Sequence, residues 1–418
     1  MTETTKGTER ELPAGWRSAE IGDVCQVNPR RPVLGQRPEA ATSFVPMAAV
    51  DAVHGRVAGM QKRPFGEVEK GYTYFEEGDV LFAKITPCMQ NGKHAVARGL
   101  VGGFGFGTTE FHVLRPGEDV VSEWLHAFLR QPVVLTQAIE HFSGSVGQQR
   151  LPPEYLAGLE LPLPPLPEQK RIAEVLGEGM VAIGKARKAA EERLEAVEAL
   201  PAAFLREVFP GDGESLREGW KWAELGNLCE GKGQYGTSLR SNGEGRGIPV
   251  LGMYHIHRGG IRWENVSSVE MDAEERTKYL LQPGDMLFNR TNSAELVGKT
   301  AVYDLAREAV FASYLIRFKL REGIASPDVV SAYVNSRYGR AFIEKNMTRA
   351  VGQVNISATT MRGMPIPLPP FAEQTRIAAS LKRRTASVDS ARTAAEAELE
   401  TINALPAALL RQAFNGEL

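Results

Sequence analysis

Cysteine is scarce in this chain, and its three residues, Cys25, Cys88 and Cys229, stand far apart. An odd number of cysteines without short spacings argues against a disulfide framework and against a cysteine zinc site. No apolar run approaches the roughly 18 residues of a membrane span, and the polar N-terminus lacks the apolar core of a signal peptide. We therefore expect a cytoplasmic protein without a membrane partner.

Net charge is also nearly absent, because the formal charge is −2 at pH 7. A nucleic-acid-binding protein usually displays a basic surface, so charge alone does not identify one here. Residues 215–370 hold 20 Lys and Arg against 16 Asp and Glu, whereas residues 1–165 hold 16 against 19. The basic excess is modest and is confined to the second half.

The chain does contain a long internal repeat. The segment L-P-L-P-P-L-P-E-Q-K-R-I-A at 161–173 returns as I-P-L-P-P-F-A-E-Q-T-R-I-A at 366–378. Likewise, L-P-A-A-F-L-R-E-V-F at 200–209 returns as L-P-A-A-L-L-R-Q-A-F at 405–414. Both displacements are 205 residues, too long for the units of about 20–50 residues that build a solenoid. The repeat therefore predicts a duplicated module of one domain and one helix.

Short apolar runs between Gly, Pro and Asn turns predict two α+β domains. Each contains a G-D-x-L-F motif, and each has one helix-like stretch near its end, at 120–142 and 329–347. A stiff, proline-rich strap then leads into a long helix. The predicted organisation is a flexible tail at 1–12, a first domain at 13–165, a first helical region at 166–210, a second domain at 211–370 and a second helical region at 371–418.

Each helical region carries an apolar residue at every seventh position, which predicts that the two helices pack together. The two series are Leu176, Ile183, Ala190, Val197 and Phe204, then Leu381, Val388, Ala395, Ile402 and Leu409. Two ordinary amphipathic helices, each buried on its own domain, remain an alternative. Pro201 and Pro406 occupy the same place in both series, where we expect a kink or a break.

These motifs together resemble the DNA-specificity subunit of type I restriction–modification systems over nearly the whole chain. The resemblance implies two tandem target-recognition domains, each reading one half of a split DNA sequence. It implies that the two long helices pack as an antiparallel coiled coil, act as a spacer and dock two methyltransferase subunits. Members of this family have no catalysis of their own. The methyltransferase brings S-adenosylmethionine and methylates adenine N6, and restriction subunits that cut double-stranded DNA join through it.

The sequence offers no catalytic set and no metal site that would contradict this interpretation. The Pro-Pro-Phe sequence that ends at Phe371 lacks the Asn or Asp that an amino-methyltransferase needs before it. A P-loop tail ends at Thr300, but Ser293 stands where the first glycine is required. His255 and His257 have no companion ligands for zinc. We expect no cofactor bound by this chain.

DNA contacts are expected where polar loops carry side chains that hydrogen-bond to base edges or hold phosphates. We predict them in the loops after the G-D-x-L-F strands, in the turns before the straps and in one further loop of the second domain. The residues are Lys84, Thr86, Gln90, Asn91, Lys93, Ser145, Gln148, Arg150, Tyr254, Arg258, Asn289, Arg290, Thr291, Asn292, Lys299, Arg349 and Gln353.

Two alternative functions remain open. One is the specificity chain of a two-subunit system whose partner fuses methylase and nuclease. The other is a coiled-coil scaffold whose paired domains bind a ligand other than DNA, which the near-neutral charge favours.

Overall fold

The computed structural model describes residues 12–144, 149–210, 215–242, 245–350 and 353–418. The chain forms two compact units, one of Met1–Glu192 with Glu396–Leu418 and the other of Arg193–Ala395. Each unit has its own sheets and its own apolar core. The predicted tail at 1–12 lies outside the described residues, except for its last residue.

The first unit is built from short strands and helices, as expected of an α+β domain. Its strands are β1 Arg17–Glu20, β2 Cys25–Val27, β3 Ala41–Val45, β4 Val50–Asp51, β5 Arg56–Val57, β6 Gln61–Pro64, β7 Thr73–Glu76, β8 Val80–Ala83, β9 His94–Val96, β10 Phe104–Gly107, β11 Phe111–Pro116 and β12 Glu160–Leu163. Its helices are α1 Ile21–Val24, α2 Phe65–Val68, α3 Ser122–Leu129, α4 Pro132–Ile139, α5 Pro153–Ala157 and the beginning of α6 Leu166–Val208.

Two four-stranded sheets form the body of the first domain. One has the order β2-β11-β8-β9 and is antiparallel throughout. The other has the order β6-β3-β10-β7 and contains the parallel pair β3 and β10. Every residue of β8, which is the V-L-F-A run of the repeated motif, is buried. The motif therefore marks an interior strand, and the loop that follows it leaves the sheet at a fixed point.

The second unit repeats this plan. Its strands are β13 Lys221–Glu224, β14 Gln234–Tyr235, β15 Ile248–Leu251, β16 Ile256–His257, β17 Gly260–Ile261, β18 Ser268–Val269, β19 Met286–Asn289, β20 Thr291–Asn292, β21 Thr300–Val302, β22 Val310–Phe311, β23 Leu315–Phe318, β24 Thr348–Ala350, β25 Gln353–Asn355 and β26 Pro365–Leu368. Its helices are α7 Leu225–Leu228, α8 Ala273–Tyr279, α9 Pro327–Asn335, α10 Arg337–Asn346, α11 Ala358–Arg362, the end of α6 and the beginning of α12 Phe371–Asn415.

The sheets of the second domain correspond to those of the first. The order β14-β23-β19-β21 matches β2-β11-β8-β9, and β15 pairs in parallel with β22 as β3 does with β10. An additional small sheet, β20-β25-β24, joins the segment after β19 to the turn before the strap. Mixed α and β structure in two tandem domains is thus confirmed.

The Gly-Asp pair before the interior strand has a structural role. Gly78 adopts a φ of +91°, which glycine tolerates without strain. The carboxylate of Asp79 accepts two hydrogen bonds, of 2.9 and 2.8 Å, from the Arg115 guanidinium. In the second domain Asp285 lies 3.2 Å from Nη1 of Arg317, and both side chains are buried. The repeated motif therefore specifies a turn and an ion pair beneath the sheet.

Each proline-rich strap forms an edge strand of its domain. Strand β12 pairs antiparallel with β1, and β26 pairs antiparallel with β13. Proline is tolerated at such edges because its missing N–H faces away from the ladder. The strap thus joins the end of each domain to its beginning.

A glutamine in the first turn of α6 attaches this helix to the first domain. Gln169 is buried, and its side-chain oxygen accepts the backbone N–H of Val121 at 2.9 Å. Its side-chain nitrogen donates to the carbonyl oxygens of Asp119 at 2.8 Å and Pro164 at 2.9 Å.

Gln374, displaced by 205 residues, does the same for α12 in the second unit. Its oxygen accepts the N–H of Ser326 at 2.7 Å, and its nitrogen donates to the carbonyl oxygens of Ile324 and Pro369 at 3.0 and 2.9 Å. The glutamine of the repeated Glu-Gln pair is therefore an anchor between helix and domain.

A kink or a break was expected at the internal prolines, and the break is wrong. Helix α6 continues through Pro201 to Val208, and α12 continues through Pro406 to Asn415. A proline in a helix interior costs about 3 kcal/mol because it loses one hydrogen bond and crowds the preceding turn. Apolar packing on the far side of each proline offsets this cost, since Phe209 and Phe414 are both fully buried.

The single helix expected near the end of each domain is also wrong, because the structure has two helices in each place. Between α3 and α4 the chain turns at Gln131, and Pro132 begins the new helix. Between α9 and α10 the hydroxyl of Ser336 accepts the N–H of Gly339 and caps the second helix. A proline at the first helical position and a serine cap are standard starts for a helix.

The seven-residue series lies on the inward side of the long helices. Of its members, Leu176, Ala190, Val388, Ala395 and Ile402 are buried, and the other five are half-buried. In the first unit the end of α12 adds Leu410, Ala413 and Phe414 to the core of the first domain. None of the helices in the described ranges is long and apolar enough to cross a membrane.

Candidate nucleic-acid interface

The two segments predicted to contact DNA meet in each domain. In the first domain the loop after β8 runs beside the turn before the strap, because the N–H of Leu151 donates to the carbonyl of Lys84 at 2.9 Å. In the second, the N–H of Ile356 donates to the carbonyl of Arg290 at 3.0 Å. We call these the first-domain surface (residues 84–91, 110 and 149–150) and the second-domain surface (residues 235, 290–293, 314, 349 and 353–355).

Three charged side chains gather on the first-domain surface. The Arg150 guanidinium binds both carboxylate oxygens of Glu110, at 2.7 and 2.9 Å. The backbone N–H of Lys84 donates to the carbonyl of Glu110 at 2.9 Å. This bidentate pair lowers the pKa of Glu110, whereas burial, aided by Arg150, lowers the pKa of Lys84. The surface thus presents a carboxylate held in its ionised form between two cationic groups.

The second-domain surface has the same backbone arrangement with different side chains. The N–H of Arg290 donates to the carbonyl of Tyr314 at 3.0 Å, as that of Lys84 does to Glu110. The Arg290 guanidinium lies 4.9 Å from the centre of the Tyr235 ring. Where the first domain has Arg150, this domain has Asn355, whose side-chain oxygen accepts the hydroxyl of Thr291. The acidic and basic cluster of the first domain thus corresponds to a cluster of arginine, tyrosine and amide side chains in the second.

The remaining first-domain candidates are in mixed positions. Gln90 and Asn91 are exposed, and the N–H of Thr86 lies 3.4 Å from the carbonyl of Gln149. Lys93 instead donates from Nζ to the carbonyl of Val50 at 2.6 Å, which holds β4 against the loop. Ser145 and Gln148 lie outside the described residues.

Several second-domain candidates are on or near the surface. Tyr254 is 80% exposed, and the side-chain nitrogen of Asn292 reaches the sulfur of the adjacent Met253 at 3.2 Å. Arg349 and Gln353 are exposed on the paired strands β24 and β25.

Other second-domain candidates are engaged inside the unit. Asn289 is 1% exposed at the end of β19, so its amide is not displayed to a ligand. Thr291 is buried as well, and Lys299 is half-buried. Arg258 forms an ion pair of 2.7 Å with Glu198 on α6. The burial of Asn289 and Thr291 argues against direct base contacts, because both side chains serve the sheet. A DNA contact by any of the other candidates stays a prediction.

The sequence interpretation missed three members of these surfaces, namely Glu110, Tyr235 and Tyr314. Glu110 and Tyr314 both precede the strand that pairs with the G-D-x-L-F strand, β11 and β23 respectively. Aligning the two domain copies over T-T-E-F-H-V-L and A-S-Y-L-I-R-F would have placed them opposite the predicted loops. Tyr235 and Tyr314 are also 41% and 47% exposed, so both rings are partly open to solvent.

The described residues include no group of three or more His, Cys, Asp or Glu side chains that could hold a metal ion. Burial raises the pKa of Cys25 and of Cys229 to about 11, so both remain thiols at neutral pH. His94 is fully buried and stacks on Phe82 with ring centres 4.0 Å apart. These side chains belong to the cores.

The chain has two similar domains with differing polar surfaces, and a long helix follows each domain. This arrangement defines a class of proteins built from a duplicated recognition domain. The family model of the type I restriction modification DNA specificity domain matches residues 13–183 and 217–401, which is most of the chain. The chain belongs to this family.

Individual relatives agree with this assignment. The EcoEI specificity subunit of Escherichia coli is 24% identical over 89% of this chain and 78% of its own length. The EcoAI specificity subunit of the same species is 37% identical over 39% of this chain and 27% of its own. The EcoKI subunit is 25% identical over 73% of this chain and 68% of its own.

Solved structures share the fold. A chain from a study of complex assembly and conformational transition of the type I R-M system aligns with a TM-score of 0.76 at 24% identity, covering 98% of this chain and 100% of that one. The HsdS subunit from Thermoanaerobacter tengcongensis aligns with a TM-score of 0.63 at 24% identity over 98% and 99%.

Proposed function

We propose that this chain is a non-catalytic DNA-specificity subunit that reads an asymmetric, two-part target and directs partner methyltransferase and restriction subunits to it. Family membership supplies the general role of DNA sequence specificity. The two-part target is inferred from the pair of domain surfaces, which share one backbone arrangement and differ in their side chains.

The difference between the surfaces has a direct chemical meaning. Arginine and lysine recognise guanine in the major groove, carboxylates accept from cytosine N4, and asparagine pairs with adenine. The first-domain surface offers Lys84, Glu110 and Arg150, whereas the second offers Arg290, Tyr314 and Asn355 at the corresponding places. Two surfaces of unlike chemistry select unlike sequences, so the combined target is asymmetric.

The two long helices are proposed to pack as an antiparallel coiled coil that acts as a spacer. Within the first unit, Gly179 of α6 lies so close to Leu409 of α12 that an added Cβ would come within 2.6 Å of its methyl group. Within the second unit, Arg384 of α12 binds Glu207 of α6 at 2.6 Å and lies over the Phe204 ring. An early position of one helix thus meets a late position of the other in both units, which supports an antiparallel pair.

The duplicated helices also suit two identical partners. Two similar surfaces on one chain can each bind one methyltransferase subunit, which would bring S-adenosylmethionine, and restriction subunits would join through it. These partners would supply phosphate-binding charge, because this chain has a formal charge of only −2. Phosphate contacts usually provide much of the affinity for DNA. We therefore expect this chain alone to bind DNA weakly.

Modified-base sequencing of host DNA, with and without this gene, tests the proposal. The expected result is N6-methyladenine in a split, asymmetric motif that disappears when the gene is deleted. Replacing residues 13–165 with the matching domain of a relative should change one half-site and leave the other intact.

The same experiment addresses the two alternatives. If no methylated motif depends on the gene while the partner methylase is expressed, the DNA-specificity proposal fails and the scaffold is favoured. A motif that depends on the gene together with a single fused methylase–nuclease partner would identify the two-subunit system.

A further inference from the structure

We propose that Arg290 reads a guanine in the half-site of the second domain, and that the Tyr235 ring holds the guanidinium in the orientation this contact needs. The inference rests on the proposed DNA-specificity function.

The backbone of Arg290 is fixed on both sides. Its N–H donates to the carbonyl of Tyr314, and its carbonyl accepts the N–H of Ile356, each at 3.0 Å. The next residue begins β20, which pairs with β25. The side chain therefore starts from a rigid point where the interior sheet and the small sheet meet.

The guanidinium is fixed as well, because it lies over the Tyr235 ring at 4.9 Å from the ring centre. Tyr235 belongs to β14, where it pairs with Ile316, and its hydroxyl accepts the N–H of Ala358 at 3.2 Å. The ring is thus held at its backbone and at its hydroxyl. Stacking on such a ring restricts the plane of an arginine and lowers the entropy that each hydrogen bond costs.

Arg290 differs from Arg317 and Arg258 of the same unit in what surrounds it. Arg317 binds Asp285 and Arg258 binds Glu198, whereas no described carboxylate lies within ion-pair distance of Arg290. Among the residues that the structure describes, no acceptor is available to its buried Nε. Because this Nε has almost no accessible surface, an acceptor from outside the chain would reach the two Nη groups of the guanidinium instead. A fixed guanidinium without a carboxylate is suited to acceptors that come from outside the chain.

Guanine fits this arrangement better than a phosphate does. Its N7 and O6 are two adjacent acceptors in the plane of the base, and they match the two parallel N–H bonds of an arginine. A phosphate can also accept two parallel N–H bonds from an arginine, but a lysine binds it as a point charge, so a phosphate contact does not need a guanidinium held in one plane. Tyr235 and Tyr314 are 41% and 47% exposed beside Arg290, so a base edge can approach from solvent.

The test compares variants of the assembled methyltransferase complex. The wild-type motif is first determined by modified-base sequencing. Methylation rates are then measured on duplexes in which each base pair of the second half-site is exchanged in turn. The variants are R290A, R290K, Y235F and Y235L, and R337K is the control. Arg337 lies 4.6 Å from the Tyr338 ring on α10. It therefore forms an arginine–tyrosine pair like that of Arg290 and Tyr235, but outside the small sheet.

The expected result is specific to one position. R290A and R290K should both lose about 5- to 150-fold discrimination at a single G·C pair, equivalent to about 1–3 kcal/mol, and leave the first half-site unchanged. Y235L should lose part of this discrimination, whereas Y235F and R337K should retain it. Melting curves of each complex identify a misfolded variant, and R290K, which retains the charge and the stem, serves if R290A does not fold.

Three results would overturn the inference. These are a second half-site without a G·C pair, an unchanged motif in R290A, and a uniform loss of methylation in R290A that R290K restores. The last result would identify a phosphate contact. The absence of any gene-dependent motif in the wild type would instead remove the proposed function on which the inference rests.

Discussion

The indole ring of Trp124 and the ring of Phe414 pack against each other with centres 4.2 Å apart, although 290 residues separate them in the chain. Both side chains are almost completely buried, and Phe128 also contacts Phe414 at 5.7 Å. The last turns of the second long helix are therefore part of the core of the first domain.

We expect F414A to destabilise the first unit by about 3–5 kcal/mol, because it removes a buried aromatic ring and leaves a cavity. Urea unfolding followed by tryptophan fluorescence measures this change. F371A is the matched control, since Phe371 on the same helix is 44% exposed. Equal stability of the two variants would contradict the role assigned to Phe414.

Removal of either glutamine anchor should cost about 2–4 kcal/mol, since each leaves one N–H and two carbonyl groups of the domain without a partner. Q169A should affect the first unit and Q374A the second. Chemical denaturation, followed by hydrogen exchange within each unit, measures the loss of unfolding free energy in both variants. K170A, at the exposed neighbouring position, is expected to remain within about 0.5 kcal/mol of wild type.

Loss of the charge at Asp285 should destabilise the second domain by about 3 kcal/mol, because Arg317 would be left buried without its counterion. D285N retains the size of the side chain, so the effect reports mainly on charge. D304N is the control, since Asp304 forms an exposed pair with Lys382 at 3.4 Å. Exposed pairs contribute about 0–1 kcal/mol. Thermal melting compares the two variants, and similar losses would contradict this account.

Stability of the first domain should fall as the pH decreases from about 6.5 to about 4. Burial, with Arg130 nearby, lowers the pKa of His126 to about 4, and burial lowers that of His94 well below 6.5. Well above pH 6.5 both histidines are neutral in the folded and unfolded states, so this contribution is complete. As the pH falls, the unfolded state binds protons first and is favoured by roughly 1–3 kcal/mol for His126. Urea unfolding at several pH values measures the slope, which H126Q should reduce.

Lengthening both helices should change the spacing of the DNA target and not its half-sites. Seven residues inserted after Ala190 and after Ala395 preserve the seven-residue register and add about 10 Å of helix. This length corresponds to about three base pairs of B-DNA. Modified-base sequencing of a strain that carries the variant reads the new spacing directly. An unchanged spacing with a methylated motif would disprove the spacer proposal.

The general plan of the fold was predictable because the chain contains it twice. The repeat displaced by 205 residues predicted two mixed domains and two long helices, and the resemblance to the specificity-subunit family is confirmed. Local rules failed where tertiary contacts outweigh them. A break was expected at Pro201, but the packing of Phe209 offsets the cost of the proline and the helix continues. One apolar stretch of the second domain forms two helices because Ser336 caps the second.

The roles of individual polar residues were less predictable. A glutamine in a first turn gives no sign that it reaches the carbonyl of Asp119, which lies 50 residues earlier. Asn289 matches the composition of a base-reading loop, yet it ends a buried strand. Tyr314 lies beside Arg290 because the strand that follows it, β23, pairs with β19, and only a comparison of the two domain copies points to it in the sequence. Such contacts depend on strand register, which the sequence does not specify locally.

The contact between Trp124 and Phe414 also bears on synthesis at the ribosome. The first domain, predicted to end at residue 165, is translated before Phe414, whose aromatic ring completes its core and which lies 249 residues further along the chain. At a translation rate of about 5–20 residues per second, the interval between the end of the first domain and Phe414 is roughly 12–50 s. During that interval the second unit, which is continuous in sequence from Arg193 to Ala395, can finish folding. The first domain would then complete its folding after the second unit. Its incomplete core would expose apolar surface to which chaperones bind on the nascent chain.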